Sequence, residues 1–303
     1  MDNLTHGLFG LFIGIVVYYL LKFKTSRKKA LIAAVIMAEL PDIDIVVRAI
    51  SAGFYLEYHR QVTHSIIVII IAALLVAWIM KKASGENYWK YAVLCVSCIV
   101  SHVFLDLINA YGTQILYPFS HIRHAFSIVP VVDIYVFIIF GTGVVFLKLQ
   151  KKDWYKVARA TLFIFFIFLL FKSGLHFNAV NRVSDLSGYS DVHVVPEMAN
   201  PFGWRVIVDQ PDYYLITNFD LTKGGYEKFE IYEKESNALI ETSKEALIAR
   251  QFLAFSKYPY ASVEGNTVTW VDMRYRIDDK APFSAEITLD DDFNIVGEKL
   301  KSA

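Results

Sequence analysis

The chain is poor in cysteine, with only Cys95 and Cys98 in 303 residues. Both fall in an apolar stretch, so this Cys-x-x-Cys reads as small buried residues of a membrane span rather than as a redox or metal motif. The polar remainder holds no cysteine and therefore uses no disulfide. Net charge is also lacking: 30 Lys and Arg balance 30 Asp and Glu, and the isoelectric point is 7.1. That balance argues against a nucleic-acid partner, which would need a basic face. No Gly-x-Ser-x-Gly elbow and no Walker A sequence is present, and the absence of His-Glu-x-x-His argues against a zincin protease. There is no internal repeat and no low-complexity tract. The first apolar segment lacks a basic leader and a small-residue cleavage site, so it is expected to be a retained span.

Long apolar runs are abundant instead. The mean hydropathy of +0.40 averages two populations: residues 1–176 alternate apolar runs with short charged loops, whereas 177–303 are polar and mixed. Six spans are expected, near Leu4–Leu21, Lys29–Ile50, Val62–Met80, Tyr88–Ile108, Ile128–Leu149 and Val157–Leu175. The second is broken by Pro41 and can be a half-helix lining a cavity. Lys22, Lys24, Arg27, Lys28 and Lys29 follow the first span; Lys81, Lys82 and Lys90 follow the third; Lys148, Lys151, Lys152 and Lys156 follow the fifth. The alternate loops hold only Arg48, Arg60 and Arg123. The basic loops are thus expected in the cytoplasm, with the N-terminus and everything after the sixth span outside.

Beyond Asn178, runs of β-formers at 204–209, 213–217, 229–232, 267–271 and 285–289 are separated by turn signals such as Lys223-Gly224-Gly225 and Glu264-Gly265-Asn266. Residues 243–258 have helical periodicity. The fold expected is an α-helical polytopic membrane bundle carrying a C-terminal extracytoplasmic α+β, mostly β domain.

Ionisable residues at the edge of a hydrocarbon span are expensive and ask for a function. Glu39, Asp42 and Asp44 end the second span; His59 and His64 open the third; His102 and Asp106, four apart on one helical face, end the fourth. His6 opens the first and Asp133 the fifth. The topology expected from the loop charges alone places His6, Asp42, Asp44, His59, His64, His102, Asp106 and Asp133 at the outer face. Carboxylates and neutral imidazoles together form a transition-metal ligand set. Hydrogen bonds between helices are the plainer alternative for His102 and Asp106, and N-capping is the alternative for Asp42 or Asp44. Glu39 can be a ligand, a general base or an acceptor behind the ligands. His59 suits either a ligand or a general acid/base. Arg60, or Arg123 with His121 and His124, can hold an anion. Thr5, Thr63 and Ser65 are candidate helix caps. His176 and His193 have no companions in the sequence.

Taken in order, Thr5-His6, Pro41-Asp42-Ile-Asp44, His59-Arg60-x-x-Thr63-His64-Ser65, His102-x-x-x-Asp106, Tyr111-Gly112 and Pro118-Phe119 resemble the YdjM-type family of membrane-bound metal-dependent hydrolases. The resemblance covers about residues 1–140, and the polar C-terminal part resembles the extension of a Firmicutes subgroup. Ile134 departs from the Pro frequent after the aspartate at 133, and Asn109 stands where Thr or Ser is frequent. A remoter likeness, of site rather than chain, is to zinc-dependent phospholipase C and related nucleases.

These readings together describe a membrane hydrolase with an outward-facing site, acting on a phosphoester or other ester of a lipid or lipid-linked substrate. Its metal ligands are expected to be His6, Asp42, Asp44, His64, His102 and Asp106, holding one or two divalent ions, zinc first and manganese second. His59 or Glu39 is the expected base, and Arg60 and Arg123 are expected to bind substrate. The competing readings are a transporter or metal-handling protein and a non-catalytic assembly or sensor protein.

Overall fold

The computed structural model describes residues 1–150, 153–184, 191–198, 200–275 and 283–301. The basic-loop residues Lys151 and Lys152 lie outside the described residues. In chain order the helices are α1 (Asn3–Leu20), α2 (Arg27–Glu39), α3 (Ala52–Tyr58), α4 (Ile66–Ser84), α5 (Tyr88–Leu107), α6 (Ile134–Leu149) and α7 (Trp154–Ser184). A 3₁₀ segment, Leu40–Ala49, continues from α2. The chain divides into two compact units: Met1–Ile43, Arg60–His176 and Met198–Pro201 form the first, and Asp44–His59, Phe177–Glu197 and Phe202–Ala303 the second.

In the first unit, α1, α4, α5 and α7 are the helices, among the described residues, long and apolar enough to cross a membrane. The fifth expected span yields the 16-residue α6, which starts six residues later than expected, at Ile134. The stretch before it is extended, and Val129 bridges Asn109. The second expected span is a 13-residue helix that changes to 3₁₀ at Leu40-Pro41, where proline disfavours α geometry at the preceding residue.

Local chemistry sets the helix ends. Asp2, not Thr5, caps α1: its carboxylate accepts from the Thr5 N–H at 2.9 Å and from the Thr5 hydroxyl at 2.7 Å. Ser65 precedes α4, but its hydroxyl donates to the Tyr117 carbonyl instead of capping the helix. Asp133 caps α6 through the N–H groups of Tyr135 and Val136.

Small residues let α1 and α2 touch. A Cβ on Gly10 would come within 2.3 Å of the Ala38 Cβ, and one on Gly14 within 2.4 Å of the Ala34 Cβ. On its other side α1 buries Phe9 and Phe12 against Phe140 of α6, and Phe9 also meets Phe165 of α7. A second core joins α2, α4 and α5 around Met37, Ala73, Leu94 and Cys98.

The second unit contains two antiparallel sheets. One has β1 (Val192–Pro196), β2 (Gly203–Asp209), β3 (Tyr213–Asp220) and β4 (Gly225–Tyr226) in sequence order, with β5 (Glu230–Glu233) also paired to β3. The helices α8 (Ala238–Ser243) and α9 (Leu247–Phe255) follow. The other sheet is a meander of β6 (Pro259–Glu264), β7 (Thr267–Asp272), β8 (Ser284–Leu289) and β9 (Ile295–Lys301). The five expected strand runs appear as β2, β3, β5, β7 and β8.

The helix expected over 243–258 appears as the shorter α9, with α8 preceding it across a break at 244–246. The Ser243 hydroxyl accepts from the Trp270 indole at 2.9 Å, which holds α8 against β7. Asn237 caps α8. Helix α3 packs on α9, where a Cβ on Gly53 would overlap the Gln251 side chain at 1.8 Å. His193 does have companions: its Nε2 is 2.7 Å from Asp191, and its ring packs on Tyr258.

Candidate metal centre

Four donors from three segments of the first unit converge. Asp42 comes from the 3₁₀ turn after α2, His64 from the turn before α4, and His102 and Asp106 from successive turns of α5. His64 Nε2 lies 3.1 Å from His102 Nε2, 3.2 Å from Asp106 Oδ2 and 3.4 Å from Asp42 Oδ1. His102 Nε2 lies 3.4 Å from Asp106 Oδ2 and 3.5 Å from Asp42 Oδ1. All four donors fall within 4.8 Å of one another. His64, His102 and Asp106 are fully buried, and Asp42 keeps 7% exposure.

The tautomers explain why two imidazoles face each other. His102 Nδ1 sits 2.6 Å from the Ala38 carbonyl, an acceptor only, so Nδ1 carries the proton and Nε2 presents its lone pair to the cluster. The close α1–α2 contact at Gly10 is what brings the end of α2, and with it Ala38, to this depth. His64 Nδ1 is engaged by the Thr63 hydroxyl at 3.0 Å, which again directs Nε2 inward. Thr63 is therefore a ligand-orienting residue rather than a cap. Asp42 Oδ1 and Asp106 Oδ2 are buried and make no hydrogen bond among the described residues. Buried carboxylate oxygens and inward lone pairs form a donor set that a cation can satisfy.

Spacing agrees with chemistry. Corners of a regular tetrahedron with ~3.3 Å edges lie about 2.0 Å from its centre, close to the Zn–N and Zn–O lengths of about 2.0–2.2 Å. The residues fit a divalent ion with two nitrogen and two oxygen ligands.

Asp106 is the hub, because its other oxygen is also occupied. Arg60 Nη2 lies 2.7 Å from Asp106 Oδ1 and His6 Nε2 3.2 Å from it, and the Met1 amino group also donates to it. His6 stacks on His102 with ring centroids 3.7 Å apart, so it joins the cluster without being one of the four donors. The Arg60 guanidinium further donates to Asn109 Oδ1 at 3.2 Å and lies 4.4 Å over the Tyr111 ring. Arg60, expected from the sequence to hold a substrate anion, pairs here with the Asp106 carboxylate. Arg60 also has a positive φ of 61°, a left-handed conformation uncommon outside glycine. Asn109 was missed as part of the site. It sits three residues after Asp106, so the i, i+3 rule would have found it.

The other expected site residues have partners of their own. Asp44 is grouped with the second unit, where its carboxylate holds His59 Nδ1 at 3.0 Å. Glu39 is half-buried at the end of α2; it accepts from Asn3 Nδ2 at 3.3 Å and lies over Gly7. Arg123 packs its Cβ over Gly112, whose φ of 93° admits that approach. Asp133 serves as the α6 cap.

Comparison with known proteins finds two family matches along the chain. Residues 1–177 match the model of the YdjM inner membrane protein family. Residues 238–301, which carry α8, α9 and β6–β9, match the YfhP C-terminal alpha/beta plait domain. A relative, the uncharacterized protein YfhP of Bacillus subtilis (strain 168), is 32% identical over 147 residues, 46% of this chain and 43% of the relative. The matched region thus spans less than half the length of that relative. No solved structure matches. Through the helical unit that supplies all four donors, over more than half its length, the chain belongs to the YdjM inner membrane protein family.

Proposed function

We propose that the chain is a multi-pass membrane hydrolase dependent on a divalent metal, with Asp42, His64, His102 and Asp106 as ligands and His6 beside them. The observation that carries this reading is the convergence of four buried donors at the spacing of a tetrahedral ion. Zinc suits the two imidazoles, and manganese suits the carboxylate share. A bound divalent ion supplies Lewis acidity toward an ester and makes water a stronger acid.

The chain's own groups divide the remaining work. Arg60 neutralises the outer oxygen of Asp106 and fixes its orientation. Asp44 holds His59 Nδ1, which makes Nε2 the basic nitrogen of the neutral ring, an arrangement suited to a general base. Asp44 thereby positions His59 and remains a candidate ligand. Glu39 remains the other candidate base, and Arg123 a candidate for holding substrate anion.

The substrate class is a phosphoester or other ester of a lipid or lipid-linked molecule, because a centre built at the ends of apolar helices can meet a headgroup while the acyl chains stay in the bilayer. The site is proposed to face outward, opposite the basic loops.

Elemental analysis of the detergent-purified chain, beside His64→Ala and His102→Ala variants checked for monodispersity, tests the metal. Near-stoichiometric zinc or manganese in the parent and loss in folded variants is expected. Phospholipid and lipid-phosphate vesicles then test turnover. A parent protein that takes up neither metal overturns the proposal, and metal uptake without turnover on any ester moves the weight to metal handling.

A further inference from the structure

At the opposite end of the helical unit is a second feature that the metal centre does not use. An open groove of about 750 Å³ runs along α2, with the C-terminal half of α6 forming its other wall. Leu31, Val35 and Leu147 line it with apolar surface, and Arg27, Lys28 and Lys148 stand at one end. From Arg27 to Ile36 it follows α2 for about 14 Å at 1.5 Å per residue. Ile32 and Ile36 on this helix are half exposed.

The charge at the mouth is adverse on its own. Arg27, Lys28 and Lys29 occupy the first turn of α2, where unsatisfied N–H groups and the helix dipole already place positive charge. No acidic residue lies in that turn, and the Ser26 side chain makes no capping bond. Lys148, in the last turn of α6, adds a further cation. The Arg27 guanidinium is held in place, 4.0 Å over the Trp154 ring and donating to the Tyr19 hydroxyl at 2.9 Å.

We propose that this groove binds an anionic glycerophospholipid, with its phosphate at the Arg27, Lys28 and Lys148 mouth and one acyl chain along Leu31 and Val35. Charge complementarity identifies the occupant. A free phosphate would use the mouth and make no use of the apolar walls, and a neutral lipid would use the walls and make no use of the cations. An anionic lipid satisfies both. This site is independent of the metal centre and of any hydrolytic activity.

The test is native mass spectrometry of the full detergent-purified chain titrated with phosphatidylglycerol and, separately, phosphatidylcholine. Tighter phosphatidylglycerol binding is expected. Lys28→Gln with Lys148→Gln, both exposed positions, should weaken phosphatidylglycerol by on the order of tenfold and leave phosphatidylcholine unchanged. Ile32→Trp, which fills the groove without changing charge, should weaken both. Equal affinity for the two lipids, an unchanged preference in the double lysine variant, or displacement of phosphatidylglycerol by inorganic phosphate alone overturns the proposal. So does a delipidated dimer that Ile32→Trp dissociates, since a second copy would then be the occupant.

Discussion

Asp106 ties two kinds of chemistry together, one oxygen facing the imidazoles and the other facing Arg60. Asp106→Asn keeps the shape but leaves a buried guanidinium without its counter-charge, which costs about 3–5 kcal/mol when a buried pair is broken. His102→Ala instead leaves the Arg60–Asp106 pair intact. We therefore expect Asp106→Asn to lower the thermal midpoint markedly, and His102→Ala to lower it less while abolishing the rise in midpoint that added zinc gives the parent. Differential scanning fluorimetry with and without zinc separates the two; equal behaviour of the variants would remove the hub role. In the second unit, burial pushes the Asp272 carboxyl up. The Arg274 guanidinium, at 3.0 and 2.7 Å, outweighs that together with the N–H groups of Arg274 and Lys257, and holds it below the usual carboxylate range. A depressed folded pKa gives stability that is present above the unfolded value of about 3.9 and lost as pH falls through the folded one. Unfolding of the full chain should become easier below about pH 4, and Asp272→Asn should flatten that dependence. At this scale the cluster was largely legible, because apolar surroundings make each Asp and His conspicuous. The roles of Arg60 and Asn109 were not, since which oxygen a guanidinium meets depends on tertiary approach.

The elements show where pattern reading succeeds. Apolar runs gave the helices, and Pro41 gave the break in the second span, because both depend on local sequence. Three devices were hidden. The α8–α9 break follows Ser243, whose hydroxyl accepts from Trp270 of a distant strand. Strands β1, β4, β6 and β9 were missed; β9 in particular is largely exposed and carries no buried alternation to read. Helix α3 lies between the two halves of the metal motif in sequence yet folds with α9 of the C-terminal domain. The α1–α2 contact is the element-scale feature on which the site depends, since it carries Ala38 to His102. Gly10→Leu would force the helices apart, at about 1–3 kcal/mol or more for overpacking, and would withdraw the carbonyl that fixes the His102 tautomer. The expected result is loss of stoichiometric zinc in a protein that still purifies as a monodisperse species. Retention of full zinc by a folded Gly10→Leu protein would show that the α2 end is not what orients the ligand.

At the scale of the whole molecule, sidedness decides which compartment the proposed site meets. The loops after α1, α4 and α6 are rich in lysine, whereas His6, His64, His102 and Asp106 gather at the other helix ends. Positive loops remain in the cytoplasm, so the metal centre and the C-terminal sheets are proposed to face outward. The two native cysteines make this easy to test, since both are fully buried in the α5 core. A membrane-impermeant maleimide added to intact cells should therefore leave the parent chain unlabelled. Lys228→Cys in the C-terminal domain and Ser120→Cys in the loop after α5 should label from outside, and Lys82→Cys at the end of α4 should label only after the membrane is opened. The reverse pattern would put the metal centre in the cytoplasm and redirect the substrate search to the inner leaflet, while leaving the four-donor geometry untouched. Labelling of Ser120→Cys and Lys228→Cys from opposite sides would mean that α6 and α7 do not cross as a pair, and that the C-terminal domain and the metal centre work in different compartments.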